Sequence, residues 1–275
     1  MLGVGGYLKH SARRSLTAIA DRRLSARHPD SVAFFKDLEA TCMSPNDSFH
    51  VFEHLKAIYY EVPKAGSSTI MATLAEADTG RALNDEHVAH DRKQSGILGP
   101  RGVGLERFYA MATSPEVLKL TFVRNPYRRL VSCWVDKFSM QPVRLDRRSR
   151  EVLRLGGLTP ERLDSTQPLP LADFVTLACN TAKAGINGHW QLMSSMVPQG
   201  AAAPDVTGRV ETLEADLGAI LNRLGAADRV TIRVHNVKQP KGAKALLDQR
   251  QADQIFAAYR EDFERFGYER ALEAR

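Results

Sequence analysis

Cysteine is scarce in this 275-residue chain. Cys42, Cys133 and Cys179 are three in all, and their wide spacing forms neither a zinc-ligand pair nor a disulfide framework. A reducing compartment and no metal are therefore expected. Long apolar runs are missing as well: none approaches the roughly 20 residues of a membrane-spanning helix. Residues 16–20, set among Arg13, Arg14, Arg22, Arg23 and Arg27, are too short a stretch for a signal-peptide core. The expectation is a soluble, cytoplasmic chain with a basic leader and no transmembrane segment, contact with the inner-membrane surface staying open. Internal repeats and low-complexity tracts are absent too, which excludes a repeat architecture.

What is present suits one globular unit. With 43% hydrophobic and 25% charged residues, the chain can bury a full-sized core. Its formal net charge of +6 favours anionic partners without separating nucleotides, acidic glycans and nucleic acid. Residues 1–50 lack a clean period and end in the turn-rich stretch 44–48, which predicts a peripheral helical arm. Residues 51–275 are expected to form a single domain. Within it, 141–170 reads as a basic insertion, whose Arg144, Arg147, Arg148, Arg150 and Arg154 fit either a solvated helix face or a contact for an acidic ligand.

Residues 57–62 are an apolar, aromatic and β-branched run ending at Pro63, the pattern of a buried strand. From Ser67 onward, Ile70, Met71, Leu74 and Ala75 have helical spacing behind an N-terminus rich in hydroxyls. Residues 117–123 repeat the theme: the strand breaks at Arg124-Asn125-Pro126, and Leu130, Val131, Trp134 and Phe138 follow at helical spacing. Two strand-turn-helix units predict an α/β fold with a central parallel sheet flanked by helices, and a ligand at the carboxyl ends of the strands. Further helices are expected at 171–178, 213–224 and 253–266.

Lys64-Ala65-Gly66-Ser67-Ser68-Thr69 joins the first strand to its helix. A flexible glycine, three hydroxyls and the unsatisfied amides of a helix start make an anion cradle, to which Lys64 adds a mobile charge. The order of residues differs from G-x-x-x-x-G-K-[ST], where lysine follows the glycine. An ordinary capped helix with an exposed lysine would read the same way. A second segment, 123–132, carries Arg124 at a strand end and Ser132 eight positions later. That spacing is about two helical turns, so the two could converge on one phosphate. Arg124 alone would fit a structural ion pair equally well.

These segments, 60 positions apart from Lys64 to Arg124, resemble the two phosphate-binding elements of sulfotransferases that use 3′-phosphoadenosine-5′-phosphosulfate (PAPS). More narrowly, the chain is similar to the carbohydrate sulfotransferases of the chondroitin/dermatan 4-O and HNK-1 group. The likeness runs through 62–64, 122–132, 136–138, Asn187-Gly188-His189-Trp190-Gln191, 205–217 and 259–268. It lacks those enzymes' membrane anchor and the cysteines after their His-Trp pair, which fits a soluble, bacterial-type member.

The resemblance implies a P-loop-NTPase-like three-layer fold. It also implies sulfuryl transfer from PAPS to a hydroxyl of a carbohydrate or glycoconjugate acceptor, acidic or neutral, leaving 3′,5′-adenosine bisphosphate and using neither metal nor nucleic acid. Lys64, Ala65, Gly66, Ser67, Ser68 and Thr69 would hold the phosphosulfate, with Lys64 stabilising the leaving group. Arg124 and Ser132 would hold the 3′-phosphate, and Lys238, Lys241 and Gly242 would form a basic flap over it. His189 and Trp190 would line the cleft. An acceptor hydroxyl needs a general base, for which Glu86, His87 and His90 are the candidates. A similar Glu-x-His-Val context in the related enzymes puts His87 first. Competing readings are a non-carbohydrate alcohol acceptor, a nucleotide-dependent phosphotransferase, and a non-enzymatic binder of acidic glycan or nucleic acid.

Overall fold

The computed structural model describes residues 27–83, 86–143, 145–163, 166–233 and 246–272. Four strands form one sheet in the order β1 (Phe49–Phe52), β2 (Ala57–Tyr60), β3 (Leu118–Val123) and β4 (Val206–Arg209). β2, β3 and β4 run parallel, as the strand-turn-helix units require. β1 departs from the expected all-parallel sheet: it pairs antiparallel with β2 across a short turn, and such a turn can join only antiparallel neighbours.

Period-two alternation sends Ala57, Tyr59, Leu118, Leu120 and Phe122 into one apolar layer and Ile58 and Tyr60 into the other. The first layer is covered by α2 (Ser67–Thr79) and by α8 (Leu213–Arg223), the second by α1 (Pro29–Thr41) and α4 (Leu105–Thr113). Because helices lie on both faces, every residue of β1, β2 and β3 is buried. Between α2 and α4 lies the short α3 (Glu86–His90).

A second apolar cluster stands beside the sheet. It joins α5 (Pro126–Lys137), α7 (Leu171–Thr181) and α9 (Gln249–Phe266), with Leu153 of α6 (Arg147–Leu155) buried against them. Part of the charge in 141–170 is taken up locally, since Arg150 and Arg154 both meet Glu161. The described part of the expected N-terminal arm is not peripheral: Val32, Phe35 and Leu38 of α1 are buried beside Phe108 and Tyr60. Three apolar residues at i, i+3 and i+6 suffice for one buried stripe, though they make a weak periodic signal.

Candidate active site

The turn after β2 is made by backbone conformations that side chains seldom adopt. Lys64 has φ 68° and Gly66 has φ 78°. For lysine this left-handed geometry costs about 1 kcal/mol, a strain that recurs at ligand-binding turns. Gly66 is the N-cap of α2 and, among the described residues, no side chain caps that end. Two of the three hydroxyls face elsewhere: Ser67 bonds to Glu61, and Ser68 Oγ lies 2.9 Å from His90 Nε2. Lys64 Nζ is 3.2 Å from Asp136 Oδ2, which Lys137 also approaches at 2.9 Å. Burial works against the Asp136 charge, but the two lysines hold its pKa below the usual carboxylate value.

The turn after β3 is built differently. Asn125 Oδ1 accepts from the Tyr127 and Arg128 amides at 3.0 and 3.3 Å, and Pro126 occupies the first helical position, so α5 starts from a fully capped end. The Asn125 amide donates to Glu211 Oε1 at 2.9 Å, while Tyr268 donates its hydroxyl proton to the other Glu211 oxygen at 3.1 Å. Glu211 thus bridges β3 to the segment after α9, a role that an acidic residue near a helix start did not announce.

Parallel pairing brings the two turns side by side. Arg124 Nη1 donates to the Lys64 carbonyl at 3.3 Å, while its buried Nε has no partner among the described residues. Burial lowers the Arg124 pKa and the Glu211 charge opposes that shift. A buried guanidinium with an unsatisfied donor suits an anionic ligand. Ser132 is half-buried two turns along α5.

Arg129, which sequence reasoning passed over, braces both turns. Its guanidinium is 1% exposed and donates to the carbonyls of Pro63, Gln191 and Gly188 at 3.0, 2.6 and 2.6 Å. It thereby fixes the loop before Lys64 and the His189 segment to α5. His189 stands near the lysines: burial first, then the charges of Lys137, Lys64 and Arg129, push its pKa down to about 4. Its Nδ1 bonds to Asn187 Oδ1 at 2.9 Å. Trp190 parts company with it, being a core residue whose Nε1 donates to Thr181 Oγ1 at 2.9 Å and whose ring packs on Phe138 and Phe174.

Of the three base candidates, only His90 has a described side chain. Glu86 and His87 belong to α3, but their side chains fall outside the described atoms, and Lys238, Lys241 and Gly242 lie outside the described residues altogether. His90 Nδ1 faces Glu61 Oε1 at 3.6 Å, and the other Glu61 oxygen accepts from His50 Nε2 at 2.8 Å. Sequence reasoning missed both partners. A carboxylate closing a wholly buried strand was a usable signal for Glu61, whereas His50 is found only through the β1–β2 pairing.

A mostly parallel sheet flanked by helices, with two strand-turn-helix units meeting at its carboxyl edge, makes this an α/β protein of the kind whose ligands bind at that edge. The sequence matches the Sulfotransferase family over residues 47–269, and the chain belongs to that family. It is a sulfotransferase, and the sheet with helices on both faces is that family's P-loop-like fold. Among curated relatives, it is 24% identical over 243 residues to carbohydrate sulfotransferase 10 of Mus musculus, covering 82% of this chain and 67% of the relative. It is 26% identical over 222 residues to carbohydrate sulfotransferase 8 of Homo sapiens, covering 74% and 48%. Carbohydrate sulfotransferase 11 of Danio rerio is 26% identical over 171 residues, covering 55% and 47%. No solved structure matches the chain. Among the described residues, no helix is long and apolar enough to cross a membrane.

Proposed function

We propose that this sulfotransferase moves the sulfuryl group of PAPS to a hydroxyl of a carbohydrate or glycoconjugate acceptor. The observation that supports the donor is the contact of Arg124 Nη1 with the Lys64 carbonyl, which puts the two turns side by side. A donor with both a 5′-phosphosulfate and a 3′-phosphate uses both; ATP uses one. Lys64, Ala65, Gly66, Ser67, Ser68 and Thr69 hold the phosphosulfate, and Lys64 exchanges Asp136 for the charge growing on the leaving phosphate. Arg124 and Ser132 hold the 3′-phosphate. Three relatives named as carbohydrate sulfotransferases support a carbohydrate acceptor, and His189, neutral beside the lysines, faces it.

For the base we take His90, the candidate whose side chain is described and whose imidazole reaches the loop at Ser68. In the transfer, the acceptor oxygen bonds to sulfur as its proton passes to the base. The bond from sulfur to the 5′-phosphate oxygen breaks, and its electrons leave on 3′,5′-adenosine bisphosphate.

The test is transfer of labelled sulfate from PAPS to a glycan panel, beside calorimetry with nucleotides. Binding of 3′,5′-adenosine bisphosphate at least ~10-fold tighter than ATP is expected, about 1.4 kcal/mol. Equal affinities would remove PAPS as donor, and transfer only to simple alcohols would remove the carbohydrate.

A further inference from the structure

Behind His90 lie two groups that the sulfuryl-transfer reading leaves unused, Glu61 and His50. Ser68 Oγ, His90, Glu61 and His50 follow one another at 2.9, 3.6 and 2.8 Å, drawn from the start of α2, α3, the end of β2 and β1. The Glu61 side chain is 13% exposed and that of His50 is 3% exposed. Burying a carboxylate here is unfavourable unless something answers its charge.

The hydrogen-bonding pattern identifies what answers it. His50 Nδ1 is buried with no partner among the described residues, so a proton is best placed on Nε2, where it is donated to Glu61. Ser67 gives another hydrogen bond. Arg92 acts only at a distance, since its guanidinium is committed to the carbonyls of Asp47 and Phe49 at 2.9 and 3.0 Å. Burial opposes ionisation of Glu61, but His50, His90 and Ser67 prevail and keep its pKa below the ordinary value. A buried negative charge therefore faces an imidazole that can become positive. The 3.6 Å gap at rest is longer than a hydrogen bond, leaving room to shorten when that charge appears.

We propose that Glu61 is a positioning residue for sulfuryl transfer: it holds His90 with Nδ1–H toward itself and Nε2 toward the reacting hydroxyl, and it balances the charge His90 acquires. His50 fixes Glu61 from behind. The proton leaves the acceptor oxygen for His90 Nε2 as oxygen bonds to sulfur, Glu61 staying ionised throughout, as the aspartate does in a Ser-His-Asp triad. Once the sulfated product departs, His90 returns the proton to water. This inference rests on the assignment of His90 as the base.

The test compares Glu61→Gln, His90→Ala and the double variant in steady-state transfer, with 3′,5′-adenosine bisphosphate affinity measured on each. Loss of the partner that orients a metal-ligating histidine typically costs 10–100-fold, and the same orienting role is at stake for His90. Glu61→Gln should lower kcat by about that factor while acceptor KM and bisphosphate affinity stay unchanged. The double variant should be no slower than His90→Ala. Losses that multiply in the double variant, or a loss confined to KM, would overturn the positioning role. Full turnover in His90→Ala would instead sink the base assignment, and the two failures are thus told apart. Should Glu61→Gln not fold, nitrogen NMR of the wild-type imidazole decides: an Nδ1–H tautomer at His90 is expected, and an Nε2–H tautomer overturns the proposal.

Discussion

Two strand-turn-helix units sit next to each other at the carboxyl edge of the sheet, and they are made in opposite ways. The turn after β2 takes two residues into left-handed backbone and leaves its helix end uncapped. The turn after β3 is closed on every side, with Asn125 capping α5, Glu211 gripping the Asn125 amide and Arg129 tied to three carbonyls. On the proposed reading, the first turn meets the phosphosulfate, whose charge changes during reaction, and the second anchors a phosphate that takes no part in bond breaking, through the Arg124 Nε left unpartnered among the described residues.

The comparison breaks most severely at Arg129. Arg129→Met takes the guanidinium from three carbonyls and removes a positive charge that favours the ionised form of the buried Asp262, whose carboxylate accepts from the Met193 and Ser194 amides. A loss of about 3–5 kcal/mol is expected in urea denaturation, the usual cost of removing one partner from a buried ionic arrangement. A loss near zero would mean that the second unit is not the rigid one.

Next come the two cations that define the units. Lys64→Ala should lower kcat by roughly 10²–10³, with bisphosphate affinity little altered, because its interaction grows as charge develops on the leaving group. Arg124→Ala should do the reverse, weakening 3′,5′-adenosine bisphosphate by about 1.5–3 kcal/mol while sparing a nucleotide that lacks the 3′-phosphate. Identical profiles for the two variants would erase the distinction between chemistry and anchoring.

The smallest effect belongs to His189, which is bracketed by both units. Its pKa in the folded chain, about 4, lies below the ordinary 6.5, so as pH falls the unfolded chain takes up the proton first. Its contribution to stability is complete above about pH 6.5 and drains away between there and pH 4. Thermal melts should lose part of this slope in His189→Gln. An unchanged slope would place its imidazole in open solvent.

The two units were legible because each follows from local rules: an apolar run, a breaker, then helical spacing. Lys64, Gly66 and Arg124 stood out because a strand end that meets a helix start has few residues to choose from. Glu61, His50, Arg129 and Glu211 stood out less, for a physical reason. A buried charge is meaningful through what surrounds it, and their partners lie across strand pairings or at distances in sequence that no period encodes. Trp190 is the converse case, where a motif-like neighbour of His189 turned out to fill the core with its N–H already satisfied.

The sequence by itself determined the α/β class, the position of both strand-helix turns and the family to which they belong, since backbone conformation at a glycine, a proline or a helix start is a local property. Only the tertiary structure decided that β1 lies antiparallel beside β2, that His50 thereby backs Glu61, and that Arg129 ties both turns together. Those outcomes depend on desolvating charges in one shared interior, where each is stable only if distant segments deliver its partners at the same place.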